Sequence, residues 1–474
     1  MKNNNYQWKK LIHTIIAIAL IVSLIDVTPT LSSSDTTGKN TKIKESKRPK
    51  PSKKTKPKIN KGPTPSKKTN QKVEDIPGRW RKSRTRFRKK PPTPKQDQDE
   101  LIKQLESLGY VSGSRPAPEL KGVTIYNKNL ACNGLNLLVS GHKPEAVLMD
   151  MEGNELHKWS YDFWRVWPDF KPAKNQETHE FWRRALVLEN GDLLAIFDGI
   201  GLIKLDKDSN LLWAFRGKAH HDLFVCEDGK IYVLTRKAGI NRKYNKRKPI
   251  LEDFVTILSP NGSEIKHVSI LKSLENSFYS PILKNMKKKK GDIFHTNTIE
   301  VLDGRLAHRS PAFRKGNVLI CIRELDVVCV IDPKIESVVW ALSGLWSRQH
   351  ESTILENGNI LIFDNRGHND KSRIIEFDPF SQEVFWTYTG TTKNPFFSSE
   401  CGSCQRLPNG NTLISETDAG RAFEVKTDKT IVWEFFNPHR AGANKELIAS
   451  LFEIIRLKPD FSADWMDKKS DNNY

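Results

Sequence analysis

Apolar side chains are scarce in this chain. They make up 37% of its 474 residues, and the mean hydropathy of −0.56 excludes a polytopic membrane protein. Acidic residues are nearly missing from residues 39–95, where 17 Lys and 6 Arg face only Glu45, Glu74 and Asp75. That one stretch accounts for almost all of the net charge of +21, so the remainder is close to neutral. A neutral globular part gives no reason to expect nucleic acid as a partner. Cysteine is sparse too, at six residues, and Cys401-x-x-Cys404 has no second Cys-x-x-Cys to complete a structural zinc site.

The N-terminus carries Lys2, Lys9 and Lys10 before an apolar run over residues 11–27. This is the pattern of a secretory signal or of an anchor left uncleaved, and the run is also short enough for a buried helix. Either of the first two readings puts the rest of the chain outside the cytoplasm, in the periplasm or cell envelope. Residues 32–98 are rich in Lys, Pro, Thr and Ser, with too few aliphatic side chains to offset the entropy of ordering, and read as a disordered linker. Behind an export signal, its basic charge suits an anionic membrane or cell-wall surface, or serves only as an extended spacer.

From residue 122 to about 440 an internal repeat sets in. Each copy has a Gly turn, a β-rich run, a second turn with an acidic residue, and a strand that usually ends on Trp. The turns fall at Gly134, Gly191, Gly229, Gly304, Gly358 and Gly410, and the tryptophans at Trp159, Trp213, Trp340, Trp386 and Trp433. Six units, each long enough for four short strands, predict an all-β fold, a six-bladed β-propeller. The tryptophans read as packing between blades. Residues 99–121 form a lead-in with a helical segment near 100–110. Residues 441–474 form a tail in which Leu447, Ile448, Leu451, Ile454 and Ile455 have helical spacing.

Cys321 and Cys329 lie symmetrically about Leu325, where a hairpin turn would set them across from each other as a disulfide; two buried thiols fit equally well. Cys401 and Cys404 are candidates for a local disulfide stiffening the loop before the last blade. The histidines carry more information. His221 and His350 each lie eight residues before the turn Gly of their copy and His295 nine before, while Arg183 and Gly402 hold the same place in two other copies. Equivalent positions in a propeller are related by rotation about its axis, so His221, His295, His350 and Arg183 should converge on one mouth of the channel. Such a group can bind an oxyanion, supply a nucleophile or proton shuttle, or ligate a metal. No carboxylate shares the position, although Asp222 follows His221 directly.

These residues resemble the arylsulfotransferase (ASST) family of exported bacterial propellers. The matching stretches are residues 108–110 and 134–159, Ala219-His220-His221-Asp222, residues 294–299 with His295 and Asn297, Gln349-His350, Phe363-Asp364-Asn365, Ser372-Arg373 and residues 406–414. The resemblance implies transfer of a sulfuryl group from an aryl sulfate ester to a phenolic acceptor, with no cofactor. It also implies a histidine that carries the group, with further histidines and an arginine, Arg366 or Arg373, around it. Arg183, His220, Asn297 and Asn365 are the accompanying substrate-binding candidates. The family's carrier belongs in the segment before the last blade, and residues 393–400 contain no histidine. Either His221, His295 or His350 takes that role, or the chain has a different activity, or it is a non-catalytic module binding an anionic or aromatic ligand.

Overall fold

The computed structural model describes residues 98–108, 115–173, 176–367, 371–441 and 444–466. The expected signal or anchor over 1–31, and all but the last residue of the basic linker, lie outside them. Among the described residues, six blades follow one another, each built on four antiparallel strands running from the axis outward, with a fifth short strand added to two of them. Blade 2 comprises Arg184–Val187, Leu193–Phe197, Gly201–Leu205 and Leu211–Phe215. Blade 3 comprises Ala219–Val225, Ile231–Gly239, Ile250–Leu258 and Glu264–Ser269. Blade 4 is built from Thr296–Val301, Val318–Ile322, Val327–Asp332 and Ser337–Ser343. Blade 5 has His350–Ile354, Ile360–Asp364, Arg373–Phe377 and Val384–Thr389. Blade 6 has Ser403–Arg406, Thr412–Glu416, Arg421–Val425 and Ile431–Phe436. The six-bladed propeller expected from the repeat is therefore the fold.

Blade 1 is assembled from both ends of the propeller. Asn136–Ser140, Glu145–Met149 and Glu155–Ser160 supply three strands, and Leu451–Arg456 pairs with the first of them as the inner strand. At the other edge, Gly122–Tyr126 adds to the outer strand of blade 6. The helix expected in the C-terminal tail is thus a strand. Leu451–Arg456 is buried along nearly its whole length, so apolar residues occupy both faces and the alternation that marks a half-buried strand is lost. The lead-in helix is present as Gln98–Glu106, with Ile102 and Leu105 against Ala238 and Leu251 of blade 3.

The core is six apolar clusters, one between each pair of neighbouring blades. This explains why second strands such as Leu193–Phe197 and Val318–Ile322 are buried at every residue. Four of the repeat tryptophans bond into the next blade. Trp159 Nε1 donates to the Gly191 carbonyl at 3.1 Å, Trp213 to Pro260 at 3.1 Å, Trp386 to Thr427 at 2.9 Å, and Trp433 to Met151 of blade 1 at 2.9 Å. Trp159 and Trp433 are buried and Trp213 and Trp386 half-buried, and all four satisfy the indole N–H across the blade boundary, in line with the inter-blade reading of the repeat. The fifth, Trp340, packs edge-on against Phe313 at 5.2 Å.

The cysteines are free thiols. Val318–Ile322 and Val327–Asp332 do form the expected hairpin, but Cys321 faces Val328 and Ile320 faces Cys329. That one-residue offset puts the sulfurs on opposite faces of the sheet, Cys329 in the cluster with blade 3 and Cys321 in the cluster with blade 5. Cys401 and Cys404 are not bridged either. Cys404 packs in the core between blades 5 and 6, whereas Cys401 approaches Arg183 of the channel.

Candidate active site

The inner strands of blades 3, 4 and 5 all begin with an irregularity. Their pairing with the second strand slips between Val233 and Thr235, between Thr296 and Thr298, and between His350 and Thr353. At these points His221, His295 and Glu351 take left-handed backbone angles, φ +53°, +52° and +44°. Such angles cost non-glycine residues on the order of 1–3 kcal/mol each and persist where the surroundings enforce them. Bulges re-aim side chains, and here the result is a histidine cluster. The His221 and His295 rings lie 4.9 Å apart and those of His295 and His350 6.5 Å apart. His220 adjoins from the side, its Nδ1 3.0 Å from that of His221.

Each ring is held by its own partner. His350 Nδ1 lies 2.6 Å from Asn365 Oδ1 and 3.1 Å from the Arg348 carbonyl, both acceptors, so Nδ1 carries the proton. Asn365 is oriented in turn, because its Nδ2 donates to the carbonyls of Ser398 and Cys401 at 2.8 and 2.7 Å. His350 Nε2 is left as a buried lone pair with no hydrogen-bond partner among the described residues. Burial, reinforced by Arg323, holds this imidazole well below the ordinary 6.5, so it is neutral at pH 7. His221 is lowered likewise by burial and by the neighbouring His295 and Arg183. His295 donates from Nδ1 to Asp292 at 2.6 Å, and that carboxylate offsets part of the lowering that burial causes.

Arg183 is buried beside the cluster. Its guanidinium lies 5.1 Å from the Phe452 ring and 3.9 Å from Cys401 Sγ, and no carboxylate among the described residues pairs with it. A buried cation without a counter-ion is costly alone and is a ready partner for an anion. Of the other site residues expected from sequence, Asn297 ties blade 4 to blade 5 by donating to the Gln349 carbonyl at 2.9 Å. Arg373 binds Asp364 and the Leu345 carbonyl, which makes it a strut of blade 5 and not part of the cluster. Arg366 is half-exposed, 3.8 Å from Glu400. Gly402, at the histidine position of blade 6, has φ +140°, and a Cβ there would meet the Phe363 ring at 2.5 Å, so that position cannot offer a side chain.

Two sets of residues were not anticipated. Arg323, in the tip of the blade 4 hairpin, reaches Glu324 and Glu400 and acts electrostatically on His295 and His350. One residue further along the inner strands lies a second layer, in which Arg184 pairs with Asp222 at 3.0 Å, Glu351 at 3.3 Å and Glu453. The adjacency of Asp222 to His221, and of Glu351 to His350, was its sequence signal. Asn394 stands in the exposed segment before blade 6, its N–H on Thr391, and contributes nothing to the cluster.

The arylsulfotransferase (ASST) family model matches residues 184–438, more than half of the chain, and takes in His221, His295, His350 and Asn365. The chain belongs to the arylsulfotransferase family. Among curated proteins nothing matches. Solved structures similar to this ASST-family chain include a protein of unknown function from Bacteroides caccae, at 12% identity, covering 68% of this chain and 98% of that one with a TM-score of 0.45. Others are virginiamycin B lyase from Staphylococcus aureus, at 9% identity, 69% and 98% coverage and a TM-score of 0.37, and the WD40 β-propeller domain of Doa1, at 11%, 73% and 96%, and 0.39.

Proposed function

We propose that the chain transfers a sulfuryl group from an aryl sulfate ester to a phenolic acceptor, with His350 as the covalent carrier. The observation that carries this reading is His350 itself, a neutral imidazole whose Nδ1–H is fixed by Asn365 and Arg348 and whose Nε2 lone pair is unengaged. Nε2 attacks sulfur, the S–O bond to the aryl group breaks, and the departing phenolate takes a proton from His295, whose imidazolium Asp292 stabilises. The acceptor phenol then returns a proton to His295 while its oxygen attacks sulfur and the N–S bond breaks. Arg183 and His221 face the sulfuryl oxygens and offset the charge that builds on them. A donor with a poor leaving group depends on the His295 proton, so its kcat/KM falls as pH rises through the lowered pKa of His295. A nitrophenyl donor, whose phenolate leaves readily, loses much less.

The test is release of nitrophenol from p-nitrophenyl sulfate by the full chain with and without phenol, compared with His350→Ala. Phenol-dependent release that the variant lacks supports transfer. A second reading, a binding module without turnover, is favoured by the exposed Asn394 in the segment where the family's carrier belongs. Retention of aryl sulfate with no release at any pH would establish it. Export of the chain, anchoring by residues 11–27 and contact of the basic linker with an anionic envelope surface complete the proposal and rest on the sequence.

A further inference from the structure

The inner strand of blade 3 starts at Ala219, two residues before His221, and the strands of the blade alternate in direction. Gly239, Ile250 and Ser269 therefore all lie at the edge that carries the histidine mouth. Two segments leave from that edge. Residues 241–248 join the second strand to the third, and residues 270–295 lead from the outer strand to the start of blade 4. Residues 241–248 hold five Lys and Arg, residues 284–290 hold five more, and neither stretch contains an acid. All ten cations are exposed.

The fold brings the two stretches together. Asn245 Nδ2 donates to the Lys289 carbonyl at 3.0 Å, and Gly291–Asp292 pairs in parallel with Ile250–Leu251. Asp292 is the partner of His295, so the basic loops border the histidine cluster. Lys243 meets Glu275 at 2.9 Å, Lys287 meets Asp326 at 2.9 Å and Lys288 meets Glu324 at 2.7 Å; the other seven have no carboxylate partner among the described residues. The first stretch is also held in shape. Asn241 Oδ1 accepts from the Lys243 N–H at 3.1 Å, and Asn245 Oδ1 from those of Arg247 and Lys248 at 3.0 and 2.9 Å. Like charges crowded on fixed turns repel one another, and an anionic surface offsets that repulsion.

Between the two stretches, Tyr279, Ile282 and Leu283 pack on the apolar cluster between blades 3 and 4. Phe278 instead points outward and is 92% exposed, more than any other large apolar side chain among the described residues. It stands three residues beyond Glu275, the carboxylate that Lys243 holds. An outward ring beside a group of cations suits the headgroup boundary of a bilayer, where the ring leaves water and the cations meet phosphates. An acidic polysaccharide would match the charge and leave the ring in water. The chain also enters the fold at this face. Gln98, which opens the lead-in helix, donates from Nε2 to the Arg247 carbonyl at 3.4 Å. The stretch 39–95, with 17 Lys and 6 Arg against three acids, ends three residues before it.

We propose that this face of blades 3 and 4 docks on an anionic lipid bilayer, with its cations on the headgroup phosphates and Phe278 inserted at the acyl boundary. Docking there turns the histidine mouth of the channel toward the membrane. It does not depend on His350 carrying a sulfuryl group.

The test is hydrogen exchange on the full chain, read peptide by peptide, with vesicles of mixed phosphatidylglycerol and phosphatidylcholine against vesicles of phosphatidylcholine alone. The neutral vesicles control for attachment through residues 11–27, and the peptides separate the linker from the fold. Residues 241–248 and 277–290 should be protected by the anionic vesicles, with exchange in blade 6 unchanged. Replacing Lys246, Arg247, Lys248, Lys289 and Lys290 together by Gln should abolish that protection, since each cation near such a surface strengthens binding about fivefold. Phe278→Ser should reduce it, and His350→Ala should keep it. These substitutions at 246–248, 278 and 289–290 touch only exposed side chains, and unchanged exchange in the blades checks that the variants fold. Protection confined to residues before 98 would place the contact on the linker and overturn docking by the fold. Equal protection by neutral vesicles, protection by dextran sulfate but not by anionic vesicles, or protection that survives the five substitutions would overturn it too.

Discussion

Asn365→Leu separates a positioning role from mere packing. The side chain makes three buried hydrogen bonds, to His350 Nδ1 at 2.6 Å and to the carbonyls of Ser398 and Cys401 at 2.8 and 2.7 Å. At about 1 kcal/mol net for each, their loss costs roughly 3 kcal/mol of stability. Two features keep it from costing more. The Ser398 carbonyl retains the Ser372 hydroxyl at 3.1 Å, and His350 Nδ1 retains the Arg348 carbonyl at 3.1 Å. The proton therefore stays on Nδ1, and the ring is loosened rather than switched to the wrong tautomer. Misplacing a reacting atom by about 1 Å costs on the order of 100-fold in rate, so kcat with p-nitrophenyl sulfate and phenol should fall about 10- to 100-fold while KM changes little. Urea unfolding and steady-state kinetics on the same preparation read both quantities. A variant that loses the stability but turns over at the wild-type rate would refute the role given to Asn365, and with it the assignment of His350 Nε2.

Arg183→Met removes the unpaired buried cation beside the histidines at little loss of packing. Donor kcat/KM should fall about 100- to 1,000-fold while urea stability is kept or improved, and an unchanged kcat/KM contradicts an anion site there. Glu453 is pushed up to about 8, by burial first and then by Glu351 and Asp222 against the pull of Arg184. Between pH 6.5 and 8 the folded chain thus holds a proton that the unfolded chain has lost, and stability declines with rising pH by up to about 1.4 kcal/mol per unit from this group. Glu453→Gln should flatten that decline in unfolding curves across the window; an identical slope speaks against it. Gly402→Ala forces a Cβ against the Phe363 ring at a backbone angle that suits glycine. It should cost about 1–3 kcal/mol in thermal or urea unfolding, and a neutral result contradicts the reason given for the missing side chain in blade 6.

The six-blade repeat was legible because the blades reuse the same local chemistry, a turn glycine and, in four of the six, an outer-strand tryptophan that bonds into its neighbour. The histidine cluster was legible for the same reason, since a shared distance from the turn glycine becomes a shared height on the channel wall. What escaped the sequence depended on register or on closure. The sequence left a Cys321–Cys329 disulfide and two buried thiols equally open, and a single-residue offset in the hairpin leaves the thiols. Leu451–Arg456 passed for a helix because a strand buried on both faces loses its alternation. Asn365, expected from sequence as a substrate-binding residue, instead accepts from His350 Nδ1 and fixes that tautomer, whereas Arg373 serves its own blade through Asp364. Arg323 had no signal at all, because it reaches the cluster from a hairpin tip and not from the repeated inner-strand position.

The central claim is that His350 Nε2 carries the sulfuryl group. Its most direct test is to mix the full chain with p-nitrophenyl sulfate in the absence of acceptor, quench at alkaline pH, where a sulfohistidine survives, and map the modified peptide by mass spectrometry. The account predicts one sulfuryl group per chain on His350, formed with a stoichiometric burst of nitrophenol and discharged when phenol is added. A sulfuryl group on His221 or His295, or turnover with His350 unmodified, would contradict it.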